Sequence, residues 1–164
     1  MLIPQGDTRL LDDPIAQSLL TSTELARVAY TAKDGTPRVI PMLFHWDGTG
    51  IVLPTFAQSH KIASMRRHPA IAVTIDRQGP PPEVLMVRGT AEIVTTDGVA
   101  PEYALAQRRY YGDEQGAANT EQAAQSGTPM ARIVLRPAWV GLLDFRDRFP
   151  GALAAAGVAS EDGS

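Results

Sequence analysis

The sequence predicts a mainly β fold with peripheral helices, an α+β class built on antiparallel pairing. Three observations carry this. Runs rich in β-branched residues recur along the chain, as in Ile71–Ile75 and Val84–Val94, and such residues pack well on a pleated surface. Asp34-Gly35 and Asp47-Gly48-Thr49-Gly50 join neighbouring runs, and Asp-Gly supplies the positive φ that a tight hairpin needs. Helical periodicity is confined to short segments between or beside the runs.

The bulk numbers bound the rest. A chain of 164 residues and 17.6 kDa suits one domain, and one this long buries roughly 70% of its unfolded surface without staples. We assign residues 1–150 to that domain. The Ala/Gly/Ser-rich 151–164 reads as a flexible C-terminal tail. A net charge of −3 and a pI near 5.6 argue against a general nucleic-acid binder. The absence of cysteine excludes disulfides and thiolate metal sites. Residues 1–11 lack a basic start followed by an apolar run, and no apolar stretch has the length of a membrane span. The expected setting is cytoplasmic, with no membrane and no nucleic acid as partner.

In chain order, Asp13-Pro14 reads as the N-cap and first position of a helix, with Ile15, Leu19 and Leu20 as its apolar stripe. Glu24–Thr31 is a strand packed through Leu25, Val28 and Tyr30. Pro37–Trp46 is its hairpin partner. Pro41 inside it donates no ladder bond, so that strand lies at an edge or bulges there. Ile51–Thr55 returns antiparallel. Ala70–Asp76 is a buried strand, Gln78–Pro82 a rigid loop, and Glu83–Val94 a long strand in which Gly89 permits curvature or close approach. Arg88 points into a groove or into solvent. Val99–Tyr111 is an amphipathic helix with Val99, Tyr103, Ala106 and Tyr110 on one face. The polar stretch 112–128 reads as a mobile loop, with a helical turn near Glu121–Gln125 and a lid as its functional option. Met130–Leu135 and Ala138–Phe145 are closing strands separated by a bend at Arg136-Pro137.

The segment Ile51–Pro69 is the most informative. A short strand turns through Thr55–Gln58 and enters a helix near Ser59, a natural N-cap. Lys61 then falls in the first turn, where the helix dipole already places positive charge. A lysine beside exposed N–H groups suits a bound anion, phosphate above all; a solvated surface lysine is the alternative. Arg66 and Arg67 sit near the C-terminal end, where cations are favoured without a ligand. Pro69 stops the helix.

Strand, Thr55, turn, Ser59-x-Lys61, helix, Arg66-Arg67-x-Pro69, strand resembles the corresponding segment of the pyridoxamine 5′-phosphate oxidase-like split-barrel superfamily. Arg88-Gly89-Thr90-Ala91-Glu92-Ile93 and Arg132–Gly141 extend the resemblance over roughly residues 19–149. It implies a six- to seven-stranded antiparallel split β-barrel, homodimeric, with a cofactor groove at the interface. It further implies that Thr55, Ser59 and Lys61 hold a cofactor phosphate and that Val39, Ile40, Pro41 and Met42 flank the ring. Arg38 reaches the same groove or stays solvated. Trp139 matches the family's closing aromatic, as a flavin contact or as a core or interface residue. Arg146 and Arg148 match its basic cluster loosely.

Other chemistry is missing. The three histidines, His45, His60 and His68, have no zinc-binding spacing, so no metal is expected. There is no nucleophile elbow, P-loop or dinucleotide fingerprint, and no acid/base carboxylate pair, so catalytic residues are not readable. An enzyme of this kind leaves the chemistry to its cofactor. The resemblance implies an FMN-dependent oxidoreductase acting on a small molecule. The alternatives are an F420 (deazaflavin)-dependent reductase and a non-catalytic flavin- or haem-binding split barrel.

Overall fold

The computed structural model describes residues 1–155 and 157. Seven strands form one antiparallel sheet curled into a half-barrel: β1 (Ala26–Thr31), β2 (Pro37–Met42), β3 (His45–Trp46), β4 (Ile51–Phe56), β5 (Ala70–Arg77), β6 (Glu83–Thr95) and β7 (Met130–Leu143). The spatial order is β2-β1-β5-β6-β7-β4-β3. The expected α+β split barrel is therefore what forms. Its concave side closes on one core that includes Leu19, Leu20, Phe44, Ile75, Leu85 and Leu135, all fully buried. Each such side chain contributes roughly 1.5–3 kcal/mol through burial.

Among the described residues five α-helices and a short 3-10 helix (Thr8–Asp12) accompany the sheet: α1 (Pro14–Leu20), α2 (His60–Arg67), α3 (Pro101–Tyr111), α4 (Asp113–Gln125) and α5 (Gly151–Ala155). The start of α1 follows the sequence rule. The Asp13 carboxylate accepts from the Ile15 N–H at 2.9 Å, and Pro14 occupies the first turn. No helix among the described residues is long and apolar enough to cross a membrane. The tail expected at 151–164 begins with α5; residue 156 and residues 158–164 lie outside the described set.

Three elements differ from the sequence reading. The stretch 112–128 is not a loop: α4 occupies thirteen residues of it. Its polarity hid a helix whose first turn carries Asp113 and Glu114, where acids suit the dipole. Side-chain bonds link Gln115 to Asn119 and Gln125 to Glu121 at helical spacing. The closing strands are one strand, β7, and the expected bend is a bulge. Register runs Arg88 to Trp139 and then Gly89 to Pro137, leaving Ala138 unmatched. Gly89 is required there, because a Cβ would lie 1.9 Å from the Arg136 carbonyl oxygen. Finally, the predicted second strand splits into β2 and β3 at Leu43-Phe44, and Leu25 is exposed rather than packed. Pro41 does lie on an edge strand, since β2 pairs only with β1.

Strands β4 and β7 are covered on both sides. Ile51 and Leu53 face the core, while Val52 and Pro54 are buried on the far side. There α3 and α4 pack, and Ala100, Ala123 and Met130 form a second small cluster. Arg109 ties α3 to the rest. It donates to the Ser22 carbonyl at 2.9 Å and to the Phe44 carbonyl, and its guanidinium stacks 4.9 Å from the Phe44 and Tyr110 rings. The aromatic faces attract the cation.

Candidate functional site

The β4–α2 turn is fixed by backbone bonds, Ala57 N–H to the Pro129 carbonyl at 3.0 Å and Ser59 N–H to the Phe56 carbonyl at 3.1 Å. Helix α2 seats Ile62 and Met65 in the core, which points its first turn outward at the end of β4. Ser59 occupies the N-cap position with extended backbone, φ −68° and ψ 142°, yet its hydroxyl makes no capping bond. Its Oγ is buried and has no partner among the described residues. A buried hydroxyl left unpaired costs about 1–3 kcal/mol. The N–H groups of His60 and Lys61 have no backbone acceptor among the described residues. Lys61 is half-buried, forms no ion pair there, and its ammonium is pushed below its ordinary pKa by burial alone. Thr55, half-buried, pairs with Ala131 of β7 one turn earlier.

The segment expected to flank a cofactor ring alternates across β2. Val39 and Pro41 are exposed, Val39 by 66%, while Ile40 and Met42 pack against the core. Directly opposed residues on an antiparallel ladder share a face. Val39, Ala29, Ala72, Arg88 and Trp139 therefore form one row across five strands on the convex side. The next row is Pro41, Arg27, Thr74, Met86 and Gly141. A cleft of about 400 Å³ opens on this side, with Ala29, Ala72, Pro37 and Arg88 in its lining.

Arg88 and Trp139 pair with each other. The guanidinium lies 3.9 Å from the indole centroid, and the ring also lies against Gly6 and Gly141, where a Cβ would approach to 2.9 and 2.6 Å. Arg38 folds back onto its hairpin turn, 3.5 Å from Asp34 and bonded to Thr36. Arg148 is buried, donates to the Ile3 carbonyl at 2.7 Å and faces Asp13 at 3.8 Å, so it pins the N-terminal segment. Arg146 stays exposed. The structure thus groups Ser59 and Lys61 at one helix end with Thr55 leading in. It places Val39, Pro41, Arg88 and Trp139 on the convex sheet face, and turns Ile40 and Met42 inward.

Residues 13–144 match the sequence model of the pyridoxamine 5′-phosphate oxidase family. The chain belongs to that family. Its members' fold recurs among solved structures. An F420 reductase is 26% identical with a TM-score of 0.59, the alignment covering 76% of this chain and 94% of that one. The conserved hypothetical protein Rv2991 of Mycobacterium tuberculosis is 23% identical with a TM-score of 0.62 over 88% of each chain. The haem storage protein HutZ of Vibrio cholerae is 13% identical with a TM-score of 0.56, covering 80% and 93%. The last two show the fold alone. No curated protein matches at the sequence level.

Sequence reasoning missed Tyr103, Gln107 and Asn119 as a group. They face one another only because α4 is a helix, and the stretch that forms it carries no apolar stripe.

Proposed function

We propose that the protein is an oxidoreductase working through a phosphorylated flavin-type cofactor anchored where β4 enters α2. One observation carries this: the polar set at Ser59–Lys61 has no partner among the described residues. It comprises a buried hydroxyl without a bond, free first-turn N–H groups, and an ammonium whose charge burial opposes. A phosphate satisfies all three at once, by charge-assisted bonds at a helix N-terminus. Thr55, Ser59 and Lys61 hold the phosphate in this reading. Val39, Ile40, Pro41 and Met42 flank the ring through the edge of β2, where alternate backbone groups lack a strand partner. Arg38 and Trp139 stand at the margin. When bound, the cofactor supplies the hydride or electron transfer; the chain binds it, orients it and limits access of water.

FMN is the first reading. F420 is the second, and the 26% identity to an F420 reductase over 94% of that structure favours it specifically. A second copy of the chain completes the site in our reading. The exposed Val39 and the small residues Ala29 and Ala72 give the convex face a surface that another sheet can approach closely. The cytoplasm is the proposed setting.

The test is titration of purified protein with FMN and, separately, F420, followed by cofactor fluorescence. Saturable binding of either one supports the reading, and the tighter of the two names the cofactor. Binding of neither overturns it. Copurified haem with a Soret band and no flavin binding replaces it with the non-catalytic alternative.

A further inference from the structure

A second cavity lies on the far face of β4 from the anchor, sharing only Phe56 with the anchor turn. It measures about 360 Å³ and is bounded by Phe56 at the end of β4 and by facing residues of α3 and α4, including Tyr103, Gln107, Tyr111, Asn119 and Gln122. That volume lies in the range of small-molecule sites. Its origin is local. Gly116 brings α4 onto α3 backbone to backbone, since a Cβ there would lie 2.6 Å from the Arg108 Cα. Farther along α4, Ala123 and Ser126 leave space that the aromatic rings fill only in part.

The lining carries no charged side chain. Three aromatic rings supply flat apolar walls, and amides and hydroxyls supply bonding groups. Gln107 is 95% buried, as its 5% exposure shows. Its Oε1 accepts from Asn119 Nδ2 at 2.8 Å, which orients the amide. Its Nε2 donates to no acceptor among the described residues, although Gln107 lines the cavity. The Tyr103 hydroxyl likewise has no hydrogen-bond partner there, and burial pushes its pKa up, so it stays a neutral donor. A buried amide fixed on one side and open on the other is a directional donor in an uncharged, aromatic-walled space.

We propose that this cavity binds a neutral, planar heteroaromatic molecule with a carbonyl acceptor, of the lactam class, held by Gln107 Nε2 and stacked among Phe56, Tyr103 and Tyr111. An anion is disfavoured because no cation lines the cavity to replace its lost hydration. None of the residues assigned to the phosphate anchor lines it, so the site stands or falls independently of the cofactor reading.

The experiment uses the full chain without cofactor and 2-quinolone as probe, followed by saturation-transfer NMR and calorimetry. 2-Quinolone is expected to bind saturably, and 2-quinolone-4-carboxylate at least tenfold more weakly. Gln107→Leu is expected to weaken 2-quinolone binding about tenfold, the loss of one well-placed bond. Because Gln107 is buried, Tyr111→Ala and Ser126→Trp serve as independent variants at exposed positions: the first removes a wall and the second fills the space, and both should weaken binding. Lys61→Ala should leave it unchanged. Absence of 2-quinolone binding overturns the proposal, as does equal binding by the Tyr111→Ala and Ser126→Trp proteins or equal affinity for the carboxylate.

Discussion

At the scale of single residues, the proposed anchor separates binding from stability. Lys61 has no ion-pair partner among the described residues, and burial pushes its pKa below the ordinary value. Lys61→Ala is therefore expected to weaken cofactor binding by about 1–3 kcal/mol, the worth of a charge-assisted bond, while apo melting temperature stays level or rises. The pH dependence has a definite sign. With the folded pKa below the ordinary lysine value, the unfolded chain binds more protons between the two, so stability contributed by this site rises with pH through that window. The difference between wild type and Lys61→Ala should shrink as pH approaches the ordinary lysine pKa, read by thermal melts across alkaline buffers. Ser59→Ala makes a parallel case. It removes the orphaned hydroxyl, so the apo protein should gain up to about 1 kcal/mol while phosphate affinity falls. A loss of apo stability in both variants would make the pair structural.

At the scale of elements, α4 decides whether the stretch after α3 is a lid. Gly→Ala in an exposed helix interior normally stabilises by about 1 kcal/mol. Gly116 is buried, and its missing Cβ is what lets α4 touch Arg108 of α3. Gly116→Ala should therefore lower the melting temperature and speed hydrogen exchange in 113–125. A rise in melting temperature would mean α4 is loosely held and free to move. The clamp from Arg109 acts on the same assembly. Truncating it to Leu leaves the Ser22 and Phe44 carbonyls without their donor, which should cost about 1–3 kcal/mol in denaturant unfolding.

At the scale of the whole molecule, the proposed pairing of two copies rests on the convex sheet face. Val39→Asp places a charge on the row that runs to Trp139 and should convert a dimer to monomer in sedimentation velocity, with cofactor affinity falling in step. One contribution to acid stability comes from Asp144. Burial raises the Asp144 carboxyl, but the N–H groups of Arg146, Arg148 and Asp147 outweigh it and hold the pKa below the ordinary value. That stabilisation is present above the ordinary carboxylate pKa and is lost as pH falls through the lower folded value. Asp144→Asn should be less stable at neutral pH and show a flatter loss in acid.

Strands, turns and the entry into α1 and α2 were legible in the sequence, because β-branched runs, Asp-Gly turns and the Asp13-Pro14 pair act through neighbouring residues. The start of α2 beside Ser59 and Lys61 was legible for the same reason, since both lie within one turn; that it holds a phosphate is our proposal. Helix α4 was not, because its polar, Gly-containing sequence carries no apolar stripe to mark it, although its acids at the first turn and its Ala, Gln and Glu residues favour a helix. Nor were the single run of β7, which depends on Gly89 meeting Arg136, the pinning of Arg148 to Ile3, or the stack of Arg88 on Trp139. Those join positions far apart in the chain, and only the tertiary fold of the curled sheet and its flanking segments brings them into reach.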